Sequence, residues 1–154
     1  MIGTSRIGIA GLILIALTAD TALAQTKGFG LGIVLGEPTG FSAKGWTSAR
    51  NAVDAGVAWA FTRDGYLHLH ADYLWHFPDA IRAEERFVPY TGVGARLGVG
   101  GDKARAGIRF PGGVAFWPRS VPLDVFLEIA LIMDVAPATQ VSVNGGIGVR
   151  YYFP

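Results

Sequence analysis

The chain has 154 residues, 51% of them hydrophobic and only 16% charged, with 22 glycines, 8 prolines, no cysteine and a formal net charge of +1. That length supports one domain and one core, the apolar content excludes a disordered chain, and the lack of cysteine excludes a disulfide or thiolate-metal scaffold. Thirteen basic residues against twelve acidic ones leave no electrostatic footprint for nucleic acid.

Residues 1–24 read as a secretory signal. Arg6 supplies the positive start, Ile7 to Leu17 an apolar stretch, and Ala22-Leu23-Ala24 a small-residue cleavage site. A membrane-spanning helix would need about 20 apolar residues, and here Asp20 interrupts soon after Leu17. Residues 25–154 are then the exported domain.

Beyond residue 25 apolar residues alternate with small or polar ones at period 2, which is the strand signal. Turn-forming stretches at Glu37-Pro38-Thr39-Gly40, Ser48-Ala49-Arg50, Arg63-Asp64-Gly65, Gly100-Gly101-Asp102-Lys103, Pro118-Arg119-Ser120 and Ala136-Pro137-Ala138 divide the chain. The longest connection, Pro78 to Arg86, has room for a helical turn. Eight strands are predicted, near 28–36, 39–47, 51–62, 65–77, 87–100, 104–117, 121–134 and 140–153, joined as an antiparallel meander.

Each later strand splits into two faces. The fourth sets Leu67, Leu69, Ala71, Tyr73, Trp75 and Phe77 against Tyr66, His68, His70, Asp72, Leu74 and His76. In the fifth, Val93, Ala95, Leu97 and Val99 oppose Tyr90, Gly92, Gly94 and Arg96. The sixth opposes Ile108, Phe110, Val114 and Phe116 to Arg105, Gly107 and Arg109. The seventh places Leu123, Val125, Leu127, Ile129, Leu131 and Met133 opposite Asp124, Phe126, Glu128, Ala130, Ile132 and Asp134. The eighth sets Val141, Val143, Ile147, Val149, Tyr151 and Phe153 against Ser142, Asn144, Gly146, Gly148, Arg150 and Tyr152.

An eight-stranded lumen is just wide enough for side chains. The bulky aliphatic and aromatic faces overfill it; glycines and near-balanced ions fit. The apolar faces therefore point outward and the polar ones inward, as in a transmembrane barrel, whose strands need about 9–11 residues to cross. An even strand count puts both termini on one side, periplasmic for a secreted bacterial barrel. Trp75, Phe77, Phe87, Phe116, Tyr151 and Phe153 then ring that rim, and Trp59, Phe61 and Tyr66 the outer one, as interfacial aromatics do. The predicted fold is an all-β, eight-stranded antiparallel up-and-down transmembrane barrel with a polar lumen and short loops.

With that topology, those lumen charges and the final Gly148-Val149-Arg150-Tyr151-Tyr152-Phe153, residues 25–154 resemble the small outer-membrane barrels of the OmpA/OmpX kind. The resemblance implies insertion by the outer-membrane assembly machinery, which reads a terminal aromatic residue; here Pro154 follows Phe153. Gly36-Glu37-Pro38-Thr39-Gly40 with Ser42-Ala43-Lys44, and Pro122-Leu123-Asp124-Val125-Phe126-Leu127-Glu128, are also similar to segments of an uncharacterised family of small bacterial membrane barrels. The outer connections are short, which removes support for adhesion or receptor roles that live on long loops.

Lys44, Asp54, His68, His70, Asp72, Arg96, Arg109, Asp124, Glu128, Asn144 and Arg150 are the expected lumen network. His68, His70, Asp72 and His76 share a face, with i, i+2 neighbours roughly 6.6 Å apart along a strand. Zinc ligation is one use of that spacing; histidines hydrogen-bonded within the lumen are the expectation, with His76 too far along to join, and no metal or other cofactor is expected. Ser42 and Ser142 face the lumen without a G-x-S-x-G elbow, so nucleophilic catalysis lacks its base. The glycine pairs of the fifth strand have no following helix and are strand glycines rather than phosphate loops.

The expected function is a structural or envelope role in the bacterial outer membrane, for a monomer with membrane lipids as partners, no nucleic acid and no enzymatic activity. The alternatives are a narrow ion or small-solute channel, a periplasmic lipocalin-like binder of an apolar ligand, and a lipid A-modifying enzyme.

Overall fold

The computed structural model describes residues 28–60 and 65–154. The proposed signal segment, Phe61, and the Arg63-Asp64 part of the third turn lie outside them. The described chain forms eight strands: β1 (Phe29–Glu37), β2 (Thr39–Trp46), β3 (Asn51–Ala60), β4 (Tyr66–His76), β5 (Phe87–Gly100), β6 (Lys103–Phe116), β7 (Leu123–Ala136) and β8 (Gln140–Phe153). Every strand pairs antiparallel with the next, and β1 closes on β8 from Phe29↔Phe153 to Glu37↔Gly145. The all-β, closed eight-stranded up-and-down barrel expected from the alternation is the fold observed.

Closure leaves no open sheet edge. Where the chain reverses between β5 and β6, Gly101 adopts a φ of 57°, a left-handed conformation that favours glycine. The register of β6 on β7 steps from Ala106↔Ala136 to Gly107↔Asp134, so Val135 is an extra residue near that rim, as in a β-bulge. The Pro78–Arg86 connection contains no helix: its turn is held by the Ala80 amide donating to the Phe77 carbonyl at 3.2 Å, and the rest is bends. The segment is tied instead to its neighbours, by Arg50 Nη2 donating to Asp79 Oδ2 at 2.8 Å and Arg119 Nη2 donating to the Glu84 carbonyl at 2.8 Å.

Strand parity sorts the side chains as the alternation predicts. Leu127, Ile129 and Val143 stand outside at 60%, 62% and 65% exposure, whereas Lys44, Asp124 and Arg150 inside are at 1%, 0% and 2%. Phe29, Trp75, Phe77, Phe87 and Phe153 are exposed near the rim that carries the termini, and Phe41 and Trp59 near the opposite rim. Tyr66 departs from the expected outer belt. It is half-buried on the inward face of β4, its ring against Gly98, because it shares the parity of His68 and His70.

The interior is also less uniformly polar than the alternation suggested. Near the termini, Leu74, Val88, Tyr90, Ala115, Trp117 and Phe126 form one buried apolar cluster, with Trp46 and Val34 packed on it. Trp46 and Trp117 meet edge to face at 5.6 Å between ring centroids, a favoured aromatic geometry.

Candidate functional site

Strand register brings the inward polar residues into three linked groups. In the first, β8 supplies Arg150, whose guanidinium lies 3.8 Å over the Phe126 ring. Arg150 Nε donates to Ser42 Oγ at 2.8 Å, Nη1 to Asp124 Oδ2 at 3.0 Å and Nη2 to Asp54 Oδ2 at 3.0 Å. The Asp124–Arg150 pair is adjacent in register; the Arg150–Asp54 bond reaches from β8 across to β3.

Lys44 on β2 extends this group. Its Nζ donates to Asp124 Oδ2 at 3.3 Å, lies 2.8 Å from His76 Nε2, and sits 4.7 Å over the Trp46 ring. His76 Nδ1 stands 3.1 Å from the Arg50 carbonyl oxygen. That oxygen only accepts, which assigns the imidazole proton to Nδ1 and leaves Nε2 to accept from Lys44. Tyr152 Oη also donates to Asp124 Oδ2, at 3.3 Å.

In the second group Arg109 on β6 bridges two carboxylates, Asp72 Oδ2 through Nη1 and Glu128 Oε1 through Nη2. Glu128 Oε2 accepts from Tyr90 Oη at 2.7 Å. In the third, Arg96 on β5 forks onto Asp134, with Nε donating to Oδ1 at 2.8 Å and Nη2 to Oδ2, while Nη1 lies 3.4 Å from His68 Nδ1. Forked contacts of this kind are the strongest that arginine makes with a carboxylate.

Among the expected residues, Lys44, Asp54, Asp72, Asp124, Glu128, Arg96, Arg109 and Arg150 are thus brought into ion pairs, and His68 touches Arg96. His70 stays at the margin, its Nε2 3.9 Å from Asp72 Oδ2. Asn144 lines a cavity of about 40 Å³ together with Asp54, His70, Glu128 and Arg150, and its side-chain nitrogen bonds to nothing.

Several interior residues were outside the expected network: Asp134, His76, Tyr90, Tyr152, Trp46 and Trp117. All continue the inward parity of their strands. They stand near strand ends or carry rings, and weighting by central charge passes over them. Ser42, a conceivable nucleophile, accepts from Arg150 Nε at 2.8 Å.

Charge does not balance inside. Among the described residues, the buried cations Lys44, Arg96, Arg109 and Arg150 face the buried carboxylates Asp54, Asp72, Asp124, Glu128 and Asp134. That is four positive against five negative. Asp54 and Asp72 stand directly opposite in the β3–β4 register, a placement that two ionised carboxylates disfavour; Arg150 and Arg109 each hold one of them.

No protein-family model matches the sequence, and no curated protein matches it. A solved structure similar to it is the N-terminal β-barrel domain of Pseudomonas aeruginosa OprF. That similarity has a TM-score of 0.62 at 10% sequence identity, covering 81% of this chain and 96% of that one. The chain shares the OmpA-like eight-stranded barrel fold. At that identity the likeness carries the fold and assigns no residue a role.

Proposed function

We propose that the chain is an outer-membrane β-barrel with a structural, envelope-maintaining role, its exterior in lipid and its lumen closed by the ion-pair network and the aromatic cluster. One observation carries this reading: large aliphatic side chains cover the outside while the ions are buried within. A water-facing barrel would place its ions outside, and lipid reverses that preference. A sheet closed on itself, without an open edge, is also what a bilayer core requires.

The remaining features agree with that reading. Aromatic residues at both rims suit membrane interfaces, and residues 1–24 supply a secretory address. Phe153 gives β8 the aromatic end that the assembly machinery would read. At the terminus-side end, Leu74, Val88, Ala115 and Trp117 are at most 1% exposed, which supports a closed lumen there over the channel alternative. An enzymatic role lacks an activated nucleophile.

Membrane fractionation of the expressed protein, with gel mobility of the detergent extract before and after boiling, tests the proposal. Outer-membrane recovery with a heat-dependent mobility shift is the expected result, together with little or no conductance in planar bilayers. Recovery as a soluble periplasmic protein would overturn it.

A further inference from the structure

We propose that Asp54, His70 and Asp72 form a binding site for a divalent transition-metal ion of the zinc type inside the barrel. The site stands on the interior geometry and holds whether the exterior faces lipid or water.

The register builds the cluster. Asp54 lies opposite Asp72, and Gly56 opposite His70. The His70 ring occupies the space that a Cβ on Gly56 would need, so the missing side chain lets the imidazole lean over β3 toward Asp54. One ligand atom from each of Asp54, His70 and Asp72 then lies within 4.8 Å of the other two.

Independent features favour a cation at this cluster. Asp54 is 2% exposed, and its Oδ1 is buried with no hydrogen-bond partner while Oδ2 is held by Arg150. His70 Nδ1 is also buried and unpartnered. Buried polar atoms left unmatched are uncommon and call for a ligand, water or ion.

There is also room and access. Asp54 and His70 both line the cavity of about 40 Å³, which extends to Glu37 and Pro38 at the rim opposite the termini. That volume exceeds what one water molecule needs, so a water can complete a tetrahedral set. Two carboxylates and one imidazole suit zinc and its neighbours; calcium and magnesium take six or more ligands, predominantly oxygens. Zinc–ligand distances of about 2.0–2.2 Å require the three ligand atoms to close up by roughly an ångström, within reach of side-chain rotation. Arg109 and Arg150 fix the two carboxylates but also repel a cation, which sets the expected Kd in the range of about 1–100 µM.

The experiment is calorimetric titration of Zn²⁺ into the folded, tag-free full chain, with heat-dependent gel mobility confirming that each variant folds. One ion per barrel is expected, with Asp54→Asn and His70→Gln each weakening binding at least about tenfold and His68→Gln leaving it within about threefold. No saturable binding to the wild-type chain, or binding that Asp54→Asn and His70→Gln leave intact, would overturn the proposal. Should those variants fail to fold, X-ray absorption of the zinc-loaded wild type decides: a shell with one imidazole supports the site, and two imidazoles or none refutes it.

Discussion

At the terminus-side end of the barrel, Leu74, Val88, Tyr90, Ala115, Trp117 and Phe126 close the interior by shape. Toward the opposite rim, Arg96 and Arg109 hold Asp134, Asp72 and Glu128 by charge, and a cavity of about 40 Å³ remains. Apolar packing has no direction and can fill a narrow lumen completely, provided that facing residues are small. Ion pairs have fixed directions, so a charged layer satisfies its strongest partners first and leaves gaps and unmatched atoms beside them. Asp54 Oδ1, Asp72 Oδ1, His70 Nδ1 and Arg109 Nε are such atoms, while at the aromatic end the unmatched atoms are the indole nitrogens of Trp46 and Trp117. The two ends of one barrel are thus filled by different means.

The sharpest way to break this division is to cut the residue that joins the two layers. Arg150 binds Asp54, Asp124 and Ser42 while stacking on Phe126. Arg150→Ala strips Asp54 of its hydrogen-bond partner and is expected to destabilise the folded barrel by about 5 kcal/mol, the upper end for an uncompensated buried charge. Glu128→Ala takes one carboxylate from Arg109, which keeps Asp72, so its cost should lie near 3 kcal/mol. Urea titration of the folded protein, followed by tryptophan fluorescence, measures both. An unchanged midpoint for Arg150→Ala would mean that the ions do not hold the interior.

A smaller effect tests the sealed end alone. The Phe126 ring fills the space beside Gly148 that a Cβ would occupy, so Gly148→Ala overpacks the apolar layer. The expected cost is about 1–3 kcal/mol. Gly45, on the neighbouring arc of the barrel, has nothing within 4 Å of the same atom. Gly45→Ala should therefore be neutral or stabilising by up to about 1 kcal/mol through the unfolded chain. Equal effects at the two positions in the same urea assay would remove shape matching as the sealing principle.

The sealed end was also the less legible of the two. Period-2 alternation revealed the strands, their order and the inward parity of Lys44, Asp72, Arg109 and Arg150, because a one-residue slip would reverse every face. Parity does not say which inward residues meet across the lumen. The Lys44–Asp124 and Arg150–Asp54 contacts join strands that are not neighbours and depend on how the sheet is staggered on closing. Trp46 and Trp117 carry the same parity signal at strand ends, but apolar rings do not mark a polar lumen; His76 shares the polar face of β4, and only the fold shows that Lys44 reaches it from β2. Nothing in the sequence singles out Gly56 among the strand glycines; the space it gives His70 emerges only from the β3–β4 register.

The finest distinction lies within the charged layer, between polar atoms that are bonded and those that are not. Ser42 Oγ accepts from Arg150 Nε, and Ser42→Ala should cost about 1.5–3 kcal/mol, the range for a hydrogen bond to a charged group. Asn144 Nδ2 has no partner, so Asn144→Ala removes no hydrogen bond made by that nitrogen and should stay within about 0.5 kcal/mol of the wild type. The pair separates two pictures of the cavity that both side chains line. If Asn144→Ala is as costly as Ser42→Ala in the urea assay, its amide is bonded after all, and the partner must be water or an ion held in the cavity. The charged end would then be filled by mobile species where the aromatic end is filled by side chains, and the contrast between them would be one of filling material and not of packing quality.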